Sequence, residues 1–580
     1  MPDFRTFISM KLLLSSIIFL LVITFSISCQ KKQEHTLIVQ IINGPDNLHP
    51  FNNMTSQNND LNLYTQLNLL RVNYRTGLLE PCLAKALAQK SDNGLNFSYE
   101  LRDHIVWDDS SPITAYDIAF SFKAYLCFTS EKQNLNLIAQ HIDDIIIDKK
   151  NNKKFTVKMK HPHMLNEWFW TSLPIIQETF YDKHKLLSRF NCSGIHDTNP
   201  TIKQWLSEFT SSENSQNPLF INGAGPYKIC EWKKGKSITL IKKKNYWAQY
   251  ESENESLQSN PDSIILKTHT LPSNALEDLE NTSIDISTAI DFESFTKLSK
   301  DELFKKKYFL KLADTYNYIY VAMNMKPDGK NHQELFSDVA VRKAMALLTP
   351  YEQINKTLFA NQGKRAIGPV PIFKHEFNWN LRPIKTDVAQ AKAILKEAGW
   401  IDSDHDQLLD KVINGKKINL EFNINYLSGY KIGEEISKLI SESMRQANIF
   451  VMLNPLDYFH FTNATSQHDF DMSISVWQGN AQPEDFSQLW HTKSWANNGL
   501  NFTGFGTATS DALIDSMNSC FNENKRINLS KRFQKIVYDN QPYIFLFAQT
   551  RRIIIKKKWE NSEVYKGYPN VLLNTLRPKQ

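Results

Sequence analysis

The amino-acid sequence predicts an α/β protein of more than one domain, with mixed sheets flanked by helices. Three observations predict it. At 580 residues the chain far exceeds what a single hydrophobic core organises. Between Ile418 and Leu453 an alternating strand, a helix striped by Ile436, Leu439, Ile440, Met444 and Ala447, and a second strand follow one another. That is the order of a βαβ unit whose helix covers a sheet. From Leu95 to Phe122, strand-like alternation in Phe97-Ser98-Tyr99-Glu100-Leu101 gives way to the turn residues Asp108-Asp109-Ser110-Ser111-Pro112. Helical spacing then takes over at Ala115, Ile118, Ala119 and Phe122.

Composition limits the classes of function. Apolar residues make up 41% of the chain and charged residues 22%, ordinary proportions for a globular protein. The formal charge of +6 is spread over short groups, among them Lys233-Lys234, Lys242 to Lys244, Lys305 to Lys307 and Lys556 to Lys558. Solvated faces and strand edges account for such groups better than a nucleic-acid surface, which gathers its charge into one basic arm or stripe. At the N-terminus Arg5 and Lys11 precede an almost uncharged apolar run, Leu12 to Ile27, closed by Ser28-Cys29-Gln30-Lys31-Lys32. A run this short reads as a signal peptide, the alternative being an uncleaved anchor helix, and Met10 is an alternative start. Beyond Cys29 lie Cys82, Cys127, Cys192, Cys230 and Cys520. With no CxxC spacing and no histidine at zinc-ligand distance they do not predict a metal centre. Their odd number leaves at least one thiol free, and one or two disulfides stay open for an exported protein.

The elements then follow in order. Thr36 to Ile42 is a buried strand ended by Leu48-His49-Pro50-Phe51, and Leu61 to Leu70 is helical. In the corner at 95–122, Thr114 caps the helix, with Asp117 three residues on, close to the capping-box position. A strand pair comes next at Asp143 to Asp148 and Lys154 to Lys160, then a helix-rich stretch to Ser212. Gly223-Ala224-Gly225-Pro226 is a turn that could cradle a phosphate, but no helix start with Lys-Ser or Lys-Thr follows it. Tyr316 to Asn324 is a strand rich in aromatics. The helix after it is capped by Ser337 or Asp338 and buries Val341, Ala344, Met345 and Leu348, while its Arg342 ties neighbouring elements together. Asp387 caps a further helix that Gly399 ends. Asp402-Ser403-Asp404-His405-Asp406 with Asp410 is similar to a calcium loop. Gln407 stands where that loop needs glycine and Ile413 where it needs the bidentate glutamate, so no metal is expected. Phe470 to Trp477 is a strand, Phe533 to Tyr538 is helical, and Ile544 to Phe547 and Arg552 to Lys556 are two more strands.

Four of these stretches resemble the extracytoplasmic solute-binding proteins of the peptide and nickel type, solute-binding family 5. Leu101, Arg102, Trp107, Asp109, Pro112, Thr114, Ala115, Asp117 and Ser121 match its signature at fixed spacing, with Ser110 in place of a glycine. Gly223 to Tyr227 with Trp232 and Gly235, the strand ending at Asn324 with Arg342, and Phe470-Asp471 match three further blocks. The resemblance implies a two-lobe periplasmic-binding-protein fold of type II, with an extra subdomain and a hinged cleft. On that pattern residues 1–29 are a lipoprotein signal peptide, and 30–75, 215–312 and 535–580 form the first lobe. Residues 76–214 are its outer subdomain, and 313–534 are the second lobe. Ser28-Cys29 resembles a lipoprotein box, with Ser26 where leucine is usual, which makes Cys29 the lipidation site. The implied setting is the periplasm or cell envelope, lipid-anchored to a membrane, as a monomer.

In the family's peptide-binding members an extended ligand adds as a strand between the lobes. By position those segments correspond to Asn53, Met54, Thr55 and Ser56, and to Val476, Trp477, Gln478 and Asn480, with Trp477 an aromatic wall or a core tryptophan beside the sheet. Such binders carry an aspartate three residues after that tryptophan to anchor the ligand's α-ammonium. Here the residue is Asn480, and Ile474 stands where some carry an arginine. Either Glu484 or Asp485 takes over, or the cargo lacks a free amino end, because a buried ammonium without a carboxylate is costly. The expected function is the substrate-binding receptor of an ABC importer, which captures oligopeptides and delivers them to permease and ATPase subunits. The alternatives are a murein peptide, a glutathione-like molecule or a nickel or haem chelate as cargo, or a surface lipoprotein that has lost transport. His161-Pro162-His163 and His491 are loop histidines of the scattered kind. No nucleophile elbow, HExxH, Walker loop or dinucleotide fingerprint is present, so no enzyme and no cofactor are expected. Asp469 and Asp471 share one side of a strand but belong to the family's fold pattern rather than to a hydrolase dyad.

Overall fold

The computed structural model describes residues 35–51, 56–130, 138–195, 199–251, 254–327, 332–496 and 499–579. Strand β1 spans Thr36–Ile42, helix α1 Ser56–Thr65 and helix α2 Ala115–Ser130. Then come β2 (Tyr227–Lys233), β3 (Ser237–Lys242), β4 (Ser263–His269), the short β5 (Ile286–Ser287), α3 (Glu302–Lys307) and the long β6 (Tyr308–Met323). The second half adds α4 (Val339–Leu348), β7 (Glu421–Leu427), α5 (Lys431–Arg445), β8 (Phe450–Leu456), β9 (Met472–Trp477), α6 (Glu523–Asn540) and β10 (Tyr543–Lys556). These ten strands run β2-β3-β4-β1-β5-β10-β6-β9-β7-β8 through one eleven-stranded sheet, with Lys364–Arg365 pairing off β10. A separate four-stranded sheet joins Gln89–Lys90, Asn96–Glu100, Lys154–Met159 and Ile142–Ile147.

The chain folds as two α/β lobes that share β6 and β10. Tyr308 to Asp314 pairs with Lys556 to Thr550 in the first lobe, and Tyr320 to Ala322 pairs with Phe545 to Tyr543 in the second. The antiparallel ladder shifts register between Asp314 and Tyr318 and again between Tyr318 and Tyr320. An interrupted ladder bends more easily than a regular one, so the crossing is the place where the lobes can hinge. Three large apolar clusters surround it. One packs the second lobe (Tyr318, Phe336, Ile440, Met472, Phe545), one the outer part of the first (Phe97, Trp107, Phe122, Trp170, Trp205), and one the main sheet of the first (Leu37, Leu240, Ile555, Leu576).

The βαβ unit forms as β7-α5-β8, its strands parallel from Glu421↔Phe450 to Leu427↔Leu456, with Ile436, Ile440 and Met444 buried beneath the helix. At the corner the Thr114 N–H donates to Asp117 Oδ2 at 2.8 Å, and the other Asp117 oxygen accepts from the Glu178 N–H at 3.0 Å. Arg342 donates to the carbonyls of Phe336 (2.6 Å) and Asn540 (2.8 Å), lashing the start of α4 to the end of α6.

Several expectations need correction. The helix expected over Leu61 to Leu70 ends at Thr65, and Leu67–Asn68 pairs with Pro174–Ile175 instead. The cause is the Gly223–Gly225 turn, which packs against the helix end: the Gly225 N–H donates to the Thr65 carbonyl at 3.0 Å, and a Cβ on Gly223 would lie 2.1 Å from that oxygen. These glycines serve close backbone approach, not a phosphate nest. The strands expected at Ile544 to Phe547 and Arg552 to Lys556 are one strand, and the strand expected at Tyr316 to Asn324 is the second half, ending at Met323, of a 16-residue strand. The strand expected from Ile418 divides into Lys416–Asn419, in a hairpin with Asp410–Ile413, and β7. All five cysteines beyond Cys29 are free thiols. Among the described residues no helix is long and apolar enough to cross a membrane.

Candidate functional site

A cavity of about 330 Å³ lies between the lobes. One wall comes from the outer part of the first lobe, at Thr76 to Leu79, Lys90, Met164 and Glu167. The other comes from the second lobe, at Tyr316, Phe373 to Glu376, Ala481, Pro483, Phe521 and Arg526. A shallower hollow of about 530 Å³ beside it shares Phe373, Lys374 and His375 and adds Lys364, Trp379 and Lys566. The walls meet directly. The Met164 N–H donates to the Asn518 carbonyl at 2.7 Å, and the Phe97 and Phe521 ring centres lie 6.4 Å apart. A Cβ on Gly77 would lie 3.3 Å from the Tyr316 hydroxyl and 3.7 Å from Ala481 Cβ.

β9 carries the predicted segment to the edge of this cavity. Val476 pairs with Ile319 and Trp477 with Tyr318, which places the end of β9 at the crossing. Trp477 is half-buried against the second-lobe core, with its indole N–H buried and lacking a partner among the described residues. Gln478 is exposed, and the Gly479 N–H donates to Asn317 Oδ1 at 3.1 Å. Gly479 has little freedom to change, since a Cβ there would sit 2.5 Å from the Tyr316 carbonyl oxygen. Asn480 is exposed and accepts from the Gln482 N–H at 2.8 Å, an Asx turn that leads into Ala481 and Pro483 on the cavity wall. Asn53, Met54 and Thr55, like Cys29, lie outside the described residues, and Ser56 is the first residue of α1. Ile474 is buried in the second-lobe core rather than facing the cavity.

The two acids weighed as substitutes for an aspartate are both engaged within the protein. Glu484 is buried and receives the Lys374 ammonium, which also donates to the Gln482 carbonyl. Burial pushes the Glu484 carboxyl up, with Lys374 pulling it back. The Glu484 N–H donates to Glu376 Oε1 at 2.9 Å, and the other Glu376 oxygen lies 3.6 Å from Arg526 Nη1. Asp485 accepts from the Ser487 N–H (2.9 Å) and the Asn518 amide (3.3 Å), and faces His163 Nε2 across the lobes at 3.6 Å. On the opposite wall Lys90 pairs with Glu167 at 2.6 Å. Three pairs of neutralising charges thus border the cavity, with Tyr316 and Phe373 between them and the exposed Glu523 on the same wall outside these pairs.

Sequence reasoning missed Tyr316, Phe373, Lys374, Glu376, Arg526, Lys90 and Glu167. Lys374 and Glu484 stand 110 positions apart, and nothing local marks either as a partner. Elsewhere the candidate ligands have partners within the protein. Asp402, Asp404 and Asp410 gather their carboxylates within 4.8 Å, and Lys417 supplies the positive charge, bonded to Asp404 and 3.5 Å from Asp410. His491 accepts from the Lys493 N–H at 3.1 Å and lies 3.6 Å from both Asp511 and Asp515. Asp469 and Asp471 both face His332, at 3.0 and 2.9 Å.

Residues 79–499 match the family described as bacterial extracellular solute-binding proteins, family 5. The chain is 24% identical over 496 residues to the oligopeptide-binding protein AppA of Bacillus subtilis, covering 82% of this chain and 79% of that one. The structure of that AppA in complex with a nonapeptide superimposes with a TM-score of 0.68 at 19% identity, covering 94% of this chain and 99% of the other. NikA from Brucella suis in complex with Fe(III)-EDTA superimposes with a TM-score of 0.74 at 18% identity, covering 94% and 100%.

Proposed function

Because the chain belongs to the bacterial extracellular solute-binding proteins of family 5, we propose that it is the cargo receptor of an ATP-driven importer that captures short peptides between its lobes. The carrying observation is the cavity walled by both lobes beside the shared strands, since a ligand held there stabilises the closed arrangement over the open one. Capture and delivery to the permease need no bond to be made or broken, so the chain acts without catalysis. Beyond Trp477 the backbone of Gln478 to Asn480 leaves the sheet, and this is where an extended cargo adds main-chain hydrogen bonds; the matching segment expected at Asn53 to Ser56 falls, but for Ser56, outside the described residues. Because Glu484 and Asp485 are already engaged, neither is free to anchor an ammonium, and main-chain contacts and the aromatic walls supply most of the affinity. The names of the relatives support peptide as the cargo class. Acylation of Cys29 would hold the body at the envelope membrane.

Native mass spectrometry of the purified protein, followed by calorimetric titration with a panel of short peptides, tests this reading. Retained peptide or saturable one-to-one binding is expected. A panel that gives no heat, together with a cavity that retains a metal chelate or nothing, rejects it. Intact mass of the membrane-extracted protein tests acylation separately.

A further inference from the structure

Lysine groups that look scattered along the sequence converge at one end of the large sheet. β1 starts at Thr36 beside Ser263, and the Asp285 N–H donates to the Ile38 carbonyl at 2.8 Å, so β1, β4 and β5 begin at the same end. β10 finishes there, with Lys556 opposite Tyr308, the first residue of β6. The Lys557 N–H donates to the Lys307 carbonyl at 2.8 Å, and the Lys579 N–H to the Lys558 carbonyl at 2.7 Å. With strands roughly 5 Å apart, the start of β1 lies roughly 10 Å from the end of β10 and 15 Å from the start of β6. The last turn of α3, the turn after β10 and the C-terminal residues therefore surround the point where the folded body begins.

Part of this charge is answered. Lys305 pairs with Glu302 at 2.5 Å, while Lys558 (2.9 Å) and Lys556 (3.5 Å) share the single carboxylate of Asp285. Lys306, Lys307, Lys557 and Lys579 have no carboxylate partner among the described residues, and all but Lys557 are exposed. Lys557 lies 5.1 Å from the centre of the Phe309 ring, itself 39% exposed, and Leu303 on α3 is 70% exposed. Isolated surface lysines are solvated and need no explanation. Unpaired lysines ringed around exposed leucine and phenylalanine match the interfacial zone of an acidic bilayer.

We propose that this end of the first lobe docks on an anionic phospholipid surface, its lysines among the headgroups. The attachment point supports the choice of partner. Only Ser28 to Glu34 separate the apolar run at Leu12 to Ile27 from the body, a reach of at most about 25 Å when extended. Whether that run stays as an anchor or is replaced by acyl chains on Cys29, the tether keeps the membrane within that reach of the start of β1, which the lysines surround. The inference goes beyond the importer reading and takes from it only the membrane setting. The cavity between the lobes lies roughly 25 Å away along β6, clear of the docked end.

The test compares binding of the full chain to mixed phosphatidylglycerol–phosphatidylcholine vesicles and to pure phosphatidylcholine vesicles, at low and high salt. The expected result is a preference of at least about tenfold for the acidic vesicles that salt abolishes. The variant Lys306→Gln/Lys307→Gln/Lys557→Gln/Lys579→Gln should lose that preference. Lys385→Gln/Lys392→Gln/Lys396→Gln/Lys416→Gln, which removes the same charge from exposed sites of the second lobe, should keep it. Equal binding to both vesicle types, or equal loss in both variants, overturns the proposal. Acetylation footprinting of the unmutated protein decides the matter without a variant: acidic vesicles should protect Lys306 and Lys579 and leave Lys392 and Lys416 reactive, and uniform labelling overturns it. Peptide titration in solution is indifferent to all of these outcomes, so failure here leaves the cargo reading intact.

Discussion

Lys374 on the cavity wall pairs with Glu484, and both side chains are almost fully buried. Removing one partner strands a buried charge, so Lys374→Met should cost about 3 kcal/mol or more of stability. The double variant Lys374→Met/Glu484→Leu should recover most of that loss, because an apolar pair of similar volume has nothing left to desolvate. Denaturant unfolding of both variants is the check, and a double variant as weak as the single would show that the pair does more than neutralise itself. Asn480 tests the cargo. If peptides enter with a free amino end near the turn at 480–482, Asn480→Asp should tighten them by about tenfold while leaving amino-blocked peptides unchanged. Equal affinities in calorimetry would move the amino end elsewhere. Trp477 and Asn480 could be singled out in the sequence because a block of residues at fixed spacing surrounds them. Lys374, Glu376 and Arg526 could not, since they reach the wall through long-range packing and carry no local signal.

Local rules did better for elements. The caps at Asp338 and Asp387 accept from the N–H groups of Ala340 and Gln390, both at 2.8 Å, as their helices require. The corner at 95–122 holds a backbone feature that its sequence hints at: Ser110 has φ +66°, the left-handed region, in the turn where the family signature has glycine. Relief of that strain exceeds the extra chain entropy of glycine, so Ser110→Gly should raise stability by roughly 0.5 kcal/mol. A shift of the unfolding midpoint to lower denaturant would contradict this. Strand length was the weak point of the sequence reading. The first half of β6 carries Lys311 and Asp314 and the middle of β10 carries Arg551 and Arg552, so neither looks continuous until the partner strand is laid beside it. Helix α1 lies five residues earlier than its expected span for a similar reason, because its end is dictated by glycines at 223 and 225.

At the scale of the whole molecule, the α/β class and the two lobes were legible from length, the βαβ unit and the family blocks, while the contacts that bring the lobes together were not. One of those contacts should respond to pH. His163 accepts the Leu165 N–H on Nδ1 at 3.2 Å, which leaves Nε2–H toward Asp485, with the His141 ring 5.1 Å away. Burial pushes its pKa down to about 4, and Asp485 at 3.6 Å is too distant to offset it. Its unfolded or exposed value is about 6.5, so the favourable contribution is complete above that pH and is lost progressively as pH falls towards 4. Closure should therefore loosen between pH 7 and about pH 5, seen as a larger radius of gyration in X-ray scattering, and His163→Gln should flatten the change. An identical pH response in both proteins would place the sensor elsewhere. The shared strands also bear on how the protein is made. β10 lies between β5 and β6 near the middle of the sheet, yet among the described residues it is the last long strand in chain order. Until it pairs, the edges of β5 and β6 that face it stay open, so neither lobe's sheet is complete before residues 543–556 are in place, and a chain held short of that point carries two sticky edges at once.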